Sequence, residues 1–154
     1  MTVDRVEAVY RRIHPRLWRA LLAFGADPEL ASDAVAEAFS QALRRGLAIR
    51  DVEAWVWRSA FRIASGMLEQ RSHLVELDGS AAVVAALDWG PAELISQLQD
   101  LSPQQRAAVV LRYVGGFTPT EIASLLDTSP GAVRVQLHRA HAALRVTMED
   151  SDGR

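Results

Sequence analysis

The segment TPTEIASLLDTSPGAVRVQLHRA, residues 118–140, carries two helix starts eleven residues apart, at Thr118 and Ser129. Thr118 is an N-cap followed by Pro119, and Glu121 closes a capping box. Ser129 and Pro130 repeat the signal. Only Asp127, Thr128 and Ser129 separate the two helices. That is too short for an antiparallel return, so the helices must cross at a large angle, as in a helix-turn-helix. Asp127 stands where such turns often use glycine, and Asp tolerates a left-handed backbone better than most residues.

The second helix spaces Val133, Leu137, Ala140 and Leu144 by four, three and four residues, so this stripe packs inward. Ala132, Arg134, Val135, His138 and Arg139 then face outward. A guanidinium reaches guanine O6 and N7 or a phosphate, and the small apolar side chains suit a thymine methyl. Pro130 and Gly131 keep the helix start slim, and its free amides favour a phosphate. His138 and His141 lie three apart, but no carboxylate or thiol supplements them, so neither a metal site nor a cofactor is expected.

Working outward, helical periodicity recurs through most of the 154 residues, and the expected class is all-α. Val3, Val6, Tyr10, Ile13, Leu17, Leu21 and Phe24 form one stripe, with Pro15 expected to kink or split it near His14. A second helix starts at Asp27-Pro28 and ends near Arg45, with Leu30, Val35, Ala38, Phe39 and Leu43 as its stripe and Gly46 beyond its end. A third follows the N-cap Asp51. Trp18 reads as packing; Trp55 and Trp57, two apart, cannot share a face, so one is core and the other lies at a surface. Helices resume after Pro91, the next being capped by Ser102. A weak alternation at 73–77 (HLVEL) and a short helix at 81–87 are the remaining signals.

Net charge is −2, but it is unevenly spread. Residues 1–71 carry +2, 72–100 carry −5, 101–148 carry +3 and the tail 149–154 carries −2. Two mildly basic blocks flanking an acidic stretch imply two modules, 1–71 and 91–148, joined by a linker over 72–90. Every basic residue is arginine, the better side chain for bidentate phosphate and guanine contacts. There is no cysteine, so no disulfide framework or thiolate chemistry. No apolar run reaches the ~20 residues of a membrane span, and the charged N-terminus lacks a secretory h-region, so a cytoplasmic protein is expected. Asp33 and Glu37 share a helix face without a nucleophile or His, which points to a binding protein rather than an enzyme.

LSPQQRAAVVLRYVGGFTPTEIASLLDTSPGAVRVQLHRAHAALR (101–145) resembles region 4 of the extracytoplasmic-function sigma factors of bacterial RNA polymerase. VYRRIHPRLWRALLAFGADPELASDAVAEAFSQALRR (9–45), followed by AWVWRSAFRIASGML (54–68), resembles their region 2. The resemblance implies a dissociable polymerase subunit whose partners are core RNA polymerase and promoter double-stranded DNA, with an anti-sigma protein as a further candidate partner. It places Arg134, Val135, His138 and Arg139 at the −35 major groove and Asp33, Val35, Glu37 and Phe39 at the polymerase contact. It also puts the loop 46–51 near flipped −10 bases, with Trp55, Arg58 and Arg62 at the −10 strand. The family's DLVQETF reads DAVAEAF here. Arg62 and Gly66 replace a usual Asn and Asp, and Gln136 and His141 replace basic residues. Two alternatives stay open: a sigma-like regulator that docks on polymerase but initiates poorly, and a helical interaction module without DNA binding.

Overall fold

The structure, a computed structural model, describes residues 2–71 and 92–152. The expected linker, its weak alternation and its short helix lie outside the described residues, and so do the side chains of the acidic tail. The described residues are helical throughout: α1 (Thr2–Gly25), α2 (Pro28–Arg45), a 3-10 turn (Gly46–Ala48), α3 (Val52–Arg71), α4 (Ala92–Asp100), α5 (Pro103–Tyr113), α6 (Pro119–Leu126) and α7 (Pro130–Asp152).

The first three helices form one bundle. Its starts are chemically marked. Asp27 accepts the Glu29 N–H at 2.9 Å, with Pro28 next, and Asp51 accepts the Ala54 N–H at 3.1 Å. Gly46, at φ 57°, ends α2 in the left-handed region, where a side chain would be strained. Ile13, Leu17, Leu21, Phe24, Leu30, Val56, Trp57 and Phe61 fill the interior.

Of the two outcomes expected at Pro15, the split does not occur: α1 runs unbroken from Thr2 to Gly25. The proline sits on the exposed side, so water can satisfy the carbonyl it leaves free, while Ile13 and Leu17 are held in the core on either side of it. The stripe also turns out narrower than its spacing suggests. Val3, Tyr10 and Leu43 are exposed, and Val9 and Ala20 take up the contact instead.

The C-terminal helices form the second bundle. Ser102 and Gln105 exchange side-chain and backbone hydrogen bonds to start α5. The Gly-Gly stop works as expected. Gly116 adopts φ 77°, and a Cβ on Gly115 would lie 2.7 Å from both the Leu111 carbonyl oxygen and the Phe117 ring. Ala107, Ala108, Val110, Leu111, Ile122, Ala123, Val133, Leu137 and Ala140 make this bundle's core.

The two bundles pack on one another through α1 and α3 against α4, α5 and α6. Trp57 bridges them: it lies fully buried, stacked near Phe61 (6.2 Å) and edge-on to Phe117 (5.0 Å, 82°). Such aromatic pairs contribute roughly 0.5–1.5 kcal/mol each beyond their buried area.

Candidate nucleic-acid interface

The helix-turn-helix forms as its capping residues require. Glu121 donates its backbone N–H to the Thr118 hydroxyl at 3.2 Å, and the Thr118 N–H returns a bond to the Glu121 carboxylate at 2.9 Å. Asp127 ends α6 at φ 56°, ψ 50°, the left-handed conformation its place in the turn demands. The Thr128 N–H then closes on the Ala123 carbonyl at 2.9 Å. The Ser129 hydroxyl accepts the Ala132 N–H at 3.1 Å and starts α7.

That geometry fixes which side of α7 is free. Val133, Leu137 and Ala140 are buried, and Leu144 packs against them. Arg134, Val135, His138 and Arg139 are all exposed, and Ala132 is half-buried at their edge. Val135, a β-branched apolar residue, is 46% exposed in the middle of two arginines, which no folding requirement explains. Gly131 has no neighbour closer than 4.0 Å to a would-be Cβ, so the helix start is open to an approaching backbone. His141 is turned aside: its Nε2 lies 2.7 Å from the Tyr113 hydroxyl, tying the flank of α7 to α5.

Across the chain, α3 presents a second basic surface. Trp55 is half-buried and Trp57 fully buried, so the pair divides between surface and core as its spacing requires. The Arg45 guanidinium lies 5.9 Å from the Trp55 ring centroid. Arg58 and Arg62 are exposed on the same helix. Arg45, Arg50, Trp55 and Arg58 line a recess of about 280 Å³. Arg45 and Arg50 were not singled out from the sequence, although the first precedes and the second lies within the loop that the family resemblance places near the −10 bases.

The α2 residues separate into two kinds. Asp33 and Glu37 are exposed, and Glu37 accepts from Gln41 (3.0 Å) and Arg44 (3.3 Å). Val35 and Phe39 are only 3% and 6% exposed and belong to the bundle core, so the structure offers neither side chain to a partner. Tyr10, by contrast, is 41% exposed and packs edge-on against Phe39 at 4.9 Å. Its exposure on α1 is not what its place in an i, i+4 stripe suggests.

Among the described residues no group of three metal-ligating side chains converges, and no helix is long and apolar enough to cross a membrane.

A family model described as Sigma-70, region 4 matches residues 92–144. The chain is 31% identical to the RNA polymerase sigma factor CarQ of Myxococcus xanthus, over 92% of this chain and 88% of that one. It is 30% identical to the ECF RNA polymerase sigma factor SigL of Mycobacterium tuberculosis, over 94% and 89% respectively. Its fold matches that of the sigma factor RpoE of Bartonella quintana, solved with the anti-sigma factor NepR. The TM-score is 0.74 at 15% identity, covering 93% of this chain and 96% of that one.

Proposed function

Because the chain belongs to the extracytoplasmic-function family of RNA polymerase sigma factors, we propose a division of labour between its two bundles. The protein acts as an alternative sigma factor: it binds core RNA polymerase and directs initiation at promoters of defined sequence. The family is one of transcription factors rather than enzymes. Its partners place it in the cytoplasm.

The observation that carries the reading is the outward face of α7. With Val133, Leu137 and Ala140 committed to the core, Arg134, Val135, His138 and Arg139 form an edge that fits a major groove at the −35 element. Capping holds this edge in place, since α6 and α7 are each started by a side-chain oxygen and joined by a three-residue turn that begins with one left-handed residue.

The N-terminal bundle supplies the other two contacts. Asp33 and Glu37 are the exposed α2 side chains for core polymerase, Tyr10 is exposed on α1 against Phe39, and Val35 and Phe39 hold α2 in position from behind. Trp55 offers a ring for an unstacked −10 base, and Arg58, Arg62, Arg45 and Arg50 supply charge for the strand's phosphates. The segments 1–71 and 91–148 act as the two modules, joined by the acidic 72–90.

Reconstituted transcription tests this. Core polymerase with the full chain should give run-off product from promoters recovered by pull-down and sequencing. Stable docking on polymerase without run-off product would instead identify a regulator that initiates poorly.

A further inference from the structure

The reading face of α7 ends in a histidine held by its neighbour. At ~100° and 1.5 Å per residue, His141 lies about 20° from Arg134 around the helix axis and about 10 Å further along it. Base edges are read by the first turns of a recognition helix, and groups beyond them meet the sugar-phosphate backbone. His141 is half-buried, so its ring is still reached from solvent. Its Nε2 shares a 2.7 Å hydrogen bond with the Tyr113 hydroxyl, and the two ring centroids lie 5.5 Å apart. Tyr113 is 62% exposed on α5, far more than its packing requires of so large a ring. The exposed Arg112 places its guanidinium 6.0 Å from the centre of that ring and donates to the Phe117 carbonyl at 3.2 Å. A guanidinium, a phenol and an imidazole thus gather on one flank of α7, each able to donate to a phosphate.

The charges around this cluster are of one sign. α4, α5 and α6 pack against α7. From α5 comes Arg112, and from α7 itself comes His138, three residues before His141 on the same face. The carboxylates within reach of description on these elements are Asp100 on α4, Glu121 on α6 and Asp127 in the turn. None of them forms an ion pair with either histidine among the described residues, and Glu121 is taken by the Thr118 amide. A cationic His141 therefore has no counter-ion among the described residues, and a DNA phosphate supplies one.

We propose that Arg112, Tyr113 and His141 form a phosphate site at the end of the −35 reading face, and that the site fills with uptake of a proton by His141. Tyr113 is its positioning residue, since the hydroxyl fixes the imidazole on the flank of α7. The proposal rests on reading α7 as the −35 helix and adds to it a dependence on pH. Binding favours the cationic imidazole, so the added affinity is present at low pH and is lost as the pH rises through the range where the imidazole of the complex deprotonates.

Fluorescence anisotropy of holoenzyme on labelled promoter DNA, at pH 6, 7 and 8 and several salt concentrations, tests this. Core polymerase and His138 bring their own pH dependence, which is common to the native chain and the variants and cancels in their ratio. His141→Gln should lose about fivefold more affinity at pH 6 than at pH 8. At pH 6 its salt slope should also be shallower than the native one by about 0.9, for one phosphate contact. His141→Arg, a permanent cation, should bind about fivefold more tightly than the native chain at pH 8. Tyr113→Phe, which keeps the ring and removes the hydroxyl, should lose more affinity at pH 6 than at pH 8. A His141→Gln deficit that is equal at both pH values, or His141→Arg with only native affinity at pH 8, overturns the proton-linked site. Equal losses by Tyr113→Phe at the two pH values overturn its positioning role. A native holoenzyme that binds no promoter selectively and gives no run-off product at any of these pH values refutes the −35 reading itself, and the site with it.

Discussion

Arg134→Ala and Arg139→Ala probe the exposed edge of α7 with little structural cost. Both side chains are exposed, and neither takes part in an ion pair among the described residues. Surface changes of this kind usually stay within about 0.5 kcal/mol of stability, so the melting temperature should hardly move. Promoter binding should respond differently. An arginine bidentate to guanine is worth ~1–3 kcal/mol, a loss of roughly 5- to 150-fold in affinity confined to one base position. An arginine on a phosphate would weaken all sequences alike and lower the salt slope by about 0.9. At ~100° per residue the two positions lie about 140° apart around the helix axis and do not touch. Their effects should therefore add within ~0.5 kcal/mol in the double variant. The assay is fluorescence anisotropy of holoenzyme on labelled promoter DNA, at four salt concentrations and with each −35 base pair permuted. If both single variants keep the native selectivity and the native salt slope, α7 does not enter the groove by this edge and the reasoning fails.

Three further outcomes follow from the same geometry. Phe39→Ala should cost ~3–5 kcal/mol of stability in urea unfolding, as a large buried ring leaves a cavity, whereas Glu37→Arg should leave stability nearly unchanged and weaken core-polymerase binding in a pull-down. Asp127→Val forces a β-branched residue into the left-handed region at φ 56° and should cost at least ~1–2 kcal/mol, while Asp127→Gly should be neutral or stabilising in thermal melts. Thr118→Ala removes the α6 cap and should cost ~1 kcal/mol, read by the same thermal melts.

How far the residues alone carried the reading depends on the range of the interaction. Caps act over three residues, so Asp27, Asp51, Ser102, Thr118 and Ser129 marked helix starts that the structure reproduces at hydrogen-bond distance. The inward stripe of α7 was legible for the same reason: Val133, Leu137 and Ala140 recur at the helix's own period, and what they bury determines what Arg134 and Arg139 expose. At Pro15 the local penalty left a kink or a split open; α1 is not split, since Ile13 and Leu17 hold both sides of the proline in the core. Val35 and Phe39 fit a family motif as a string, but a motif does not say which of its members face inward.

What the sequence determined by itself is therefore the helical class, the helix starts, the turn at Asp127 and the guanidinium-bearing edge of α7, all products of interactions within a few residues along the chain. Tertiary structure alone decided that Trp57 is shared by both bundles, that Arg58 reaches the Ser124 carbonyl 66 positions away, and that Tyr10 rather than Phe39 reaches the surface. Those outcomes depend on how one amphipathic helix is rotated against another. No periodicity encodes that rotation; it follows from which side chains fill the space between the helices.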